Sequence, residues 1–217
     1  ADWDGDADPG DTDDALDQLA ERVDDNEIDI AALPSAPVEM IFSQVVDVEI
    51  VNTTTETTLF GAGRGSKTIA GGVLDVGTTI RIALSGHLSD SGAPSLTVDV
   101  DLGGTQIAST GAQSLNNTVT QTDWHLTFLI TCRDTGAAGN VVGSGLFEHD
   151  NDAQFGLVNV NEVSVDTAGN LEINVTAQWD TADAGNTITC QEATIEFIKA
   201  DNLAVAAPSE LSATETV

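Results

Sequence analysis

Apolar and polar residues alternate along the chain from about residue 38 onward, with the two-residue period that is typical of β-strands. The clearest stretches are residues 78–88, 95–102, 124–132 and 171–179. A strand with this pattern buries one face and leaves the other in water. The alternation therefore predicts a core that includes Ile82, Leu84, Val98, Val100, Leu126, Phe128, Ile130, Ile173, Val175 and Phe197.

Glycine, asparagine, aspartate and serine clusters separate these stretches every ten to fifteen residues, as turns between strands do. No convincing helical period is found after residue 38. About nine or ten short strands joined by such turns indicate an all-β fold. We predict a jelly-roll-like antiparallel β-sandwich over residues 38–200, followed by a C-terminal tail over residues 201–217.

The first 37 residues have a different pattern. Residues 1–14 are mostly aspartate, glycine and alanine, which is the composition of a solvated acidic arm. Residues 15–33 carry apolar positions at spacings of 3 and 4, which predicts a short amphipathic helix with a heptad seam. Pro34 and Pro37 then form a stiff hinge. The seam consists of Leu16, Leu19, Val23, Asn26, Ile30 and Leu33.

This seam allows two interpretations. The helix either packs on its own domain, or it contacts sister chains or another protein as the neck of an oligomer. It is under three heptads long and too short to hold a coiled coil alone. In the second case Asn26, at a seam position, would help to fix register and oligomeric state.

The charge balance limits the partners. The chain has 36 acidic and 6 basic residues among 217, a formal net charge of −30. Such a surface repels nucleic acid and anionic membranes, and no apolar run approaches the roughly 20 residues that cross a bilayer. We expect no nucleic-acid or membrane partner. An excess of carboxylates over lysines also suits very high salt, where a Debye length of roughly 3 Å screens repulsion. A halophilic or marine source and an ordinary acidic protein both fit.

Residues 61–68 read GAGRGSKT and resemble a phosphate-binding loop at first sight. Such a loop needs glycine immediately before the lysine, and here Ser66 precedes Lys67. It also needs a following helix, whereas the next residues are rich in glycine and β-branched side chains. We predict a turn between two strands and no nucleotide site.

Other candidate chemistry is weak. The aspartates of residues 2–8 lack the glycine and glutamate of a calcium loop, because Pro9 and Ala15 stand at those places. His87, His125 and His149 are isolated, and we interpret them as surface residues rather than ligands. No nucleophile motif occurs, and a glycosidase-type carboxylate pair cannot be located. We therefore predict no catalytic residue, no metal site and no cofactor.

The two cysteines leave one question open. The parity of residues 124–132 places Cys132 in the core. The face of Cys190 is ambiguous, because apolar residues stand at even positions up to Cys190 and at odd positions over residues 193–197. This change of parity predicts a β-bulge near Gln191. Cys132 and Cys190 either pair as a disulfide or stay as two buried thiols.

One long region resembles a known class of proteins. TLFGAGRGSKTIAGGVLDVGTTIRI, SLTVDVDLGGTQIASTGA and DWHLTFLITCRDTGAAGNVVGSGLFE follow one another within residues 58–148. This order of glycines, turns and strands resembles the jelly-roll modules of tailed-virus structural proteins, namely head fibres, capsid decoration (cement) proteins and tail fibres. Thr78 departs from that pattern, where an acidic residue is common.

The resemblance implies a non-enzymatic virion protein on the outer surface of the capsid or on a fibre. The first expectation is a homotrimeric decoration protein that stabilises the shell by binding the major capsid protein. The alternative is a receptor-binding head or tail fibre module that recognises host surface glycan or S-layer protein. A carbohydrate-active enzyme on a jelly roll ranks third, because no site for it is found.

Overall fold

A computed structural model describes residues 38–115, 118–149, 153–159 and 161–199 of the protein. These residues form only β-strands and connecting loops, and every strand pairing is antiparallel. The predicted all-β class is therefore confirmed. The acidic arm, the seam helix and the C-terminal tail that we predicted lie outside the described residues. The strands are β1 (Val38–Gln44), β2 (Val48–Val51), β3 (Thr57–Thr58), β4 (Gly63–Gly65), β5 (Thr68–Ile69), β6 (Thr79–Ser89), β7 (Ser95–Leu102), β8 (Thr105–Ser109), β9 (Gln113–Ser114), β10 (Thr122–Asp134), β11 (Gly139–His149), β12 (Ala153–Val158), β13 (Val163–Val165), β14 (Leu171–Trp179) and β15 (Thr187–Ile198).

The strands form two sheets. The large sheet has nine strands, in the order β12-β11-β10-β6-β15-β1-β4, with β13 paired to β11 and β2 paired to β15. The small sheet has six, in the order β3-β14-β7-β8, with β5 and β9 at its margins. More strands are present in the described residues than the nine or ten predicted, because pieces of two to four residues are too short to show a period.

Eight of the strands pair in a nested way. Taken in chain order as β1, β3, β6, β7, β8, β10, β14 and β15, the first pairs with the last and the second with the seventh. The third pairs with the sixth, and the fourth with the fifth. The described domain therefore begins and ends on neighbouring strands, where Val38 lies opposite Ile198.

The core lies between the two sheets and follows the predicted parity. All ten predicted core residues are buried, none with more than 3% of its surface exposed. Burying one side chain of this size stabilises the fold by about 1.5–3 kcal/mol, so a shift of one residue in any of these strands would be costly. The two sheets approach closely at Gly143 of β11, which lies over Ile107 of β8.

The predicted β-bulge near Gln191 is also confirmed. The register of β15 against β6 shifts between Cys190 and Glu192. The shift keeps Cys190 buried while Ala193 and the alternate residues after it also point into the core.

Candidate functional site

The segment GAGRGSKT does not have the conformation of a phosphate-binding loop, because it contains strand β4 and is followed by strand β5 instead of a helix. Gly65 has a left-handed backbone (φ 85°), and a Cβ there would collide with the Ile41 carbonyl oxygen, so the segment turns tightly beside β1. The Lys67 ammonium lies 6.0 Å from the ring centre of Phe42 and 5.5 Å from that of Phe60. The prediction of a turn over the whole segment is only partly right, because Gly63–Gly65 form strand β4, paired with β1, and only residues 66–67 connect it to β5. The lysine of this connection contacts aromatic rings.

The histidines do not assemble a metal site. No group of three or more histidine, cysteine or acidic residues could hold a metal ion within the described part of the chain. His125 is exposed and His87 is partly exposed, as expected. His149 contradicts the prediction of a surface position, because it is buried. Its ring lies 6.1 Å from that of Phe147 and 5.3 Å from that of Phe155, centre to centre.

Cys132 and Cys190 are both free, buried thiols. Cys132 follows the residue paired with Thr79 at one end of β6, whereas Cys190 lies opposite Gly86 near the other end. Seven residues of strand correspond to about 23 Å, and a disulfide needs Cα atoms within about 7 Å. The disulfide alternative is therefore wrong within one chain. Burial raises the pKa of the Cys190 thiol to about 12 and also raises the pKa of Cys132, so neither is a reactive nucleophile.

The outer face of the small sheet is polar throughout. Cross-strand neighbours share a face, and the pairs from β14 across β7 to β8 place only polar side chains there. Burial, then Glu56 and then Asp99, raise the pKa of Asp101 above its usual value. The Thr176 hydroxyl donates to the Glu56 carboxylate at 2.7 Å. This face carries Thr97, Asp99, Asp101, Gln106, Ser109, Glu172, Asn174, Thr176 and Gln178.

The outer face of the large sheet has a different character. Four rows of its side chains each cross the sheet from strand to strand through the paired residues. Apolar, threonine and serine side chains dominate the first three, whereas the fourth contains two glutamates, a glutamine and a histidine. The rows are Val142-Thr131-Thr79-Ile198-Val38; Val158-Ser144-Leu129-Arg81-Glu196-Met40; Gly156-Leu146-Thr127-Ala83-Thr194-Ser43-Arg64; and Gln154-Glu148-His125-Ser85-Glu192.

We call these four rows the apolar face. Val158 is 61% exposed at one margin and Met40 is 56% exposed at the other. Leu129 and Val38 are also exposed large apolar side chains. Two arginines and three glutamates occur among the four rows, a formal charge of −1, and Arg81 forms an ion pair with Glu196. A surface that is both apolar and nearly neutral is unusual on a chain with a net charge of −30.

A groove opens at the β1 margin of the apolar face. It has a volume of about 460 Å³, and its lining includes Met40, Ile69 and Phe197. The Lys199 ammonium lies 3.9 Å from the Glu39 carboxylate, and both residues also line the groove. Met40 lines the groove and also belongs to the apolar face, so the groove lies beside the β1 margin of that face.

The predicted seam (Leu16, Leu19, Val23, Asn26, Ile30 and Leu33) lies outside the described residues, so its role stays a prediction. The structure instead reveals the apolar face, which sequence reasoning missed. The available signal was the presence of apolar residues at outward parity, such as Leu129 between Phe128 and Ile130. Within the described ranges there is no helix that is long and apolar enough to cross a membrane.

The chain matches no protein-family model, no curated protein sequence and no solved structure.

Proposed function

We propose that the chain is a non-enzymatic structural protein of a tailed virus, and that it decorates the outer surface of the capsid as a homotrimer bound to the major capsid protein. The observation that carries this proposal is the contrast between the two sheets. One outer face is apolar and nearly neutral, and the other is polar and acidic. A protein with one apolar and one solvated outer face suits a coat of many copies, in which protein contacts cover the first face and water covers the second.

The strand pairing supports the jelly-roll part of the proposal. Pairing the first strand with the last, and so on inward, describes a long hairpin that has been rolled into two sheets. A jelly roll is a sandwich of eight such strands in two Greek keys. The extra strands β11 and β12 widen the large sheet beyond β10, and so extend the apolar face.

The mechanism of shell stabilisation is mass action. A protein that binds only the assembled lattice favours the assembled state by RT ln(1 + [L]/Kd), which is about 2.7 kcal/mol at a hundredfold excess over Kd. Many copies on one shell add these contributions. The polar, acidic face remains solvated, so it presents no apolar patch through which decorated particles could associate.

The segment of residues 1–37 is the proposed anchor on the major capsid protein. A single amphipathic helix of about five turns cannot bury its apolar seam in isolation, so the seam needs a protein surface. A halophilic or marine host fits the acidic composition, because molar salt screens repulsion between densely placed copies.

The receptor-binding fibre has weaker support. Glycan recognition by such a module favours exposed aromatic rings at loop tips. In the described part of the chain, Trp124 and Trp179 are both buried, and the Trp124 indole donates to the Thr189 carbonyl oxygen at 3.1 Å. Neither ring is available to a ligand.

Copy number in purified particles tests the proposal. Quantitative mass spectrometry against an internal peptide standard should give hundreds of chains per particle, in a fixed ratio to the major capsid protein. A handful of copies would indicate the fibre instead. Absence of the chain from the particles would overturn the virion assignment.

A further inference from the structure

We propose that the apolar face is the contact between copies of this chain, and that the β12 margin of one copy packs against the β1 margin of the next around a threefold axis. This inference rests on the trimer in the proposed function, and it names the surface that forms it. Three observations carry it: the charge of the face, its area and the difference between its two margins.

Charge restricts where two copies can meet. Each copy carries a formal charge of −30, so most pairs of surfaces bring carboxylates together. The apolar face has a formal charge of −1, and its Arg81 and Glu196 already neutralise each other near the centre. By contrast, the outer face of the small sheet places Asp99, Asp101 and Glu172 together with no cation among its paired residues. A second copy therefore meets the least repulsion on the apolar face.

The area of the face is sufficient. Six strands at about 4.8 Å and four rows at about 6.8 Å give a patch of about 29 Å by 27 Å, or about 800 Å². That is about the area that each partner contributes to a stable interface, and in a ring it is divided between the two contacts that each copy makes. Threonine and serine side chains fill half of the positions that are not apolar, and they can be buried without desolvating a charge.

The two margins of the face differ, and this favours a ring over a face-to-face pair. Val158 lies on β12, which the strand order places at one end of the large sheet. Met40 lies at the other end of the same row, beside the groove. An exposed side chain at one margin and a recess at the other suit a heterologous contact, which closes into a ring when the rotation between copies fits.

The first test compares two valines of equal exposure in the full-length chain. Val158 is 61% exposed on the apolar face, and Val76 is 60% exposed in a turn before β6. In about 2 M salt, Val158→Asp should weaken trimer assembly about 100-fold or more, because it buries a carboxylate in an apolar contact. Val76→Asp should leave assembly unchanged. Light scattering coupled to size-exclusion chromatography measures the mass, and far-UV circular dichroism checks that both variants fold.

The second test gives a positive signal and does not depend on a loss of assembly. Val158 and Met40 are separated by five strand spacings in one chain, about 24 Å, which is too far for a disulfide. A bis-maleimide with a spacer well under that length should link Val158→Cys to Met40→Cys only between copies. The double variant should give a covalent trimer on denaturing gels. Pairing Val158→Cys with Val76→Cys is the control and should not.

Each outcome bears on the inference separately from the decoration proposal. A wild-type trimer that persists in Val158→Asp and gives no cross-link would overturn the inference, while particle copy number would still test decoration. A wild-type monomer in high salt would also overturn it. A Val158-dependent dimer would replace the ring with a face-to-face pair. Should Val158→Asp misfold, the cross-link alone decides.

Discussion

Replacing Gly143 with alanine probes the spacing between the two sheets. Gly143 lies on β11 and is buried opposite Ile130. A Cβ at this position would lie 2.6 Å from Ile107 Cγ2 of the small sheet and 2.6 Å from Phe128 Cζ of the large sheet. Both distances are well inside normal van der Waals contact, so the sheets or the ring must shift.

The magnitude follows from the cost of overpacking, about 1–3 kcal/mol for an extra methyl group in a filled core. A loss of 1 kcal/mol lowers Tm by about 2–4 °C in a domain of this size, so Gly143→Ala should lower Tm by about 2–12 °C. Gly156→Ala is the matched control on the adjacent strand. The nearest atom to a Cβ there is Val158 Cγ2 at 3.8 Å, an ordinary contact. That variant should leave Tm unchanged or raise it slightly, since alanine restricts the unfolded chain more than glycine does.

The assay is thermal unfolding followed by circular dichroism, with both variants at the same protein concentration and salt. A double variant, Gly143→Ala with Phe128→Leu, tests the cause. If the ring provides the obstruction, the double variant should lose less stability than the sum of the two single changes. Equal Tm values for Gly143→Ala and Gly156→Ala would refute the reasoning, because they would mean that β11 and β8 do not face each other in this register.

Three further predictions follow from the charge, the thiols and the domain boundary. Oligomers should weaken on dialysis from about 2 M to about 50 mM salt, because repulsion between copies is then unscreened; identical light scattering at both salts would contradict this. At pH 8, Ellman's reagent should find both thiols inert in native protein and reactive in denaturant, since the pKa of Cys190 is about 12 instead of 9.0 and its thiolate is about 1000-fold rarer. The same raised pKa affects stability. The free energy of unfolding should fall above pH 9.0, because the Cys190 thiol ionises there in the unfolded chain and not in the folded one. Removing residues 1–37 should leave a folded all-β domain that binds its virion partner weakly or not at all; full occupancy of particles by the truncated protein would place the anchor elsewhere.

Sequence alone was sufficient for the interior of the sandwich. The alternation around Phe128 and Ile130 is local, so it needs no knowledge of the neighbouring strands. The bulge near Gln191 was equally visible, because it reverses the parity within one strand. The burial of His149 could not be predicted from the sequence. Strand β11 contains three glycines in seven residues, so apolar and polar residues show little contrast between its two faces.

The apolar face was beyond sequence reasoning for a different reason. Val158 and Met40 are far apart in the chain, and only the strand order places them in one row. Parity assigned Leu129 to the outer face of its strand, and one exposed leucine does not indicate a contact surface. It becomes informative when the strand order places it in one row with Val158 and Met40. The cysteines show the same limit, because burial follows from parity but their separation along β6 requires the register.

The pairing of the first strand with the last has a consequence for synthesis. When residues 38–44 leave the ribosome, their partner in β15 is still about 150 residues away, which is about 8–30 s at 5–20 residues per second. During that interval the edge of β1 that pairs with β15 is open, and neighbouring nascent chains could join it. The carboxylates already synthesised make the unfinished polypeptides repel one another during this period when the salt is too low to screen them. High ionic strength therefore has opposite effects before and after folding. It favours the oligomer of folded copies, and it removes the repulsion that keeps nascent chains from aggregating.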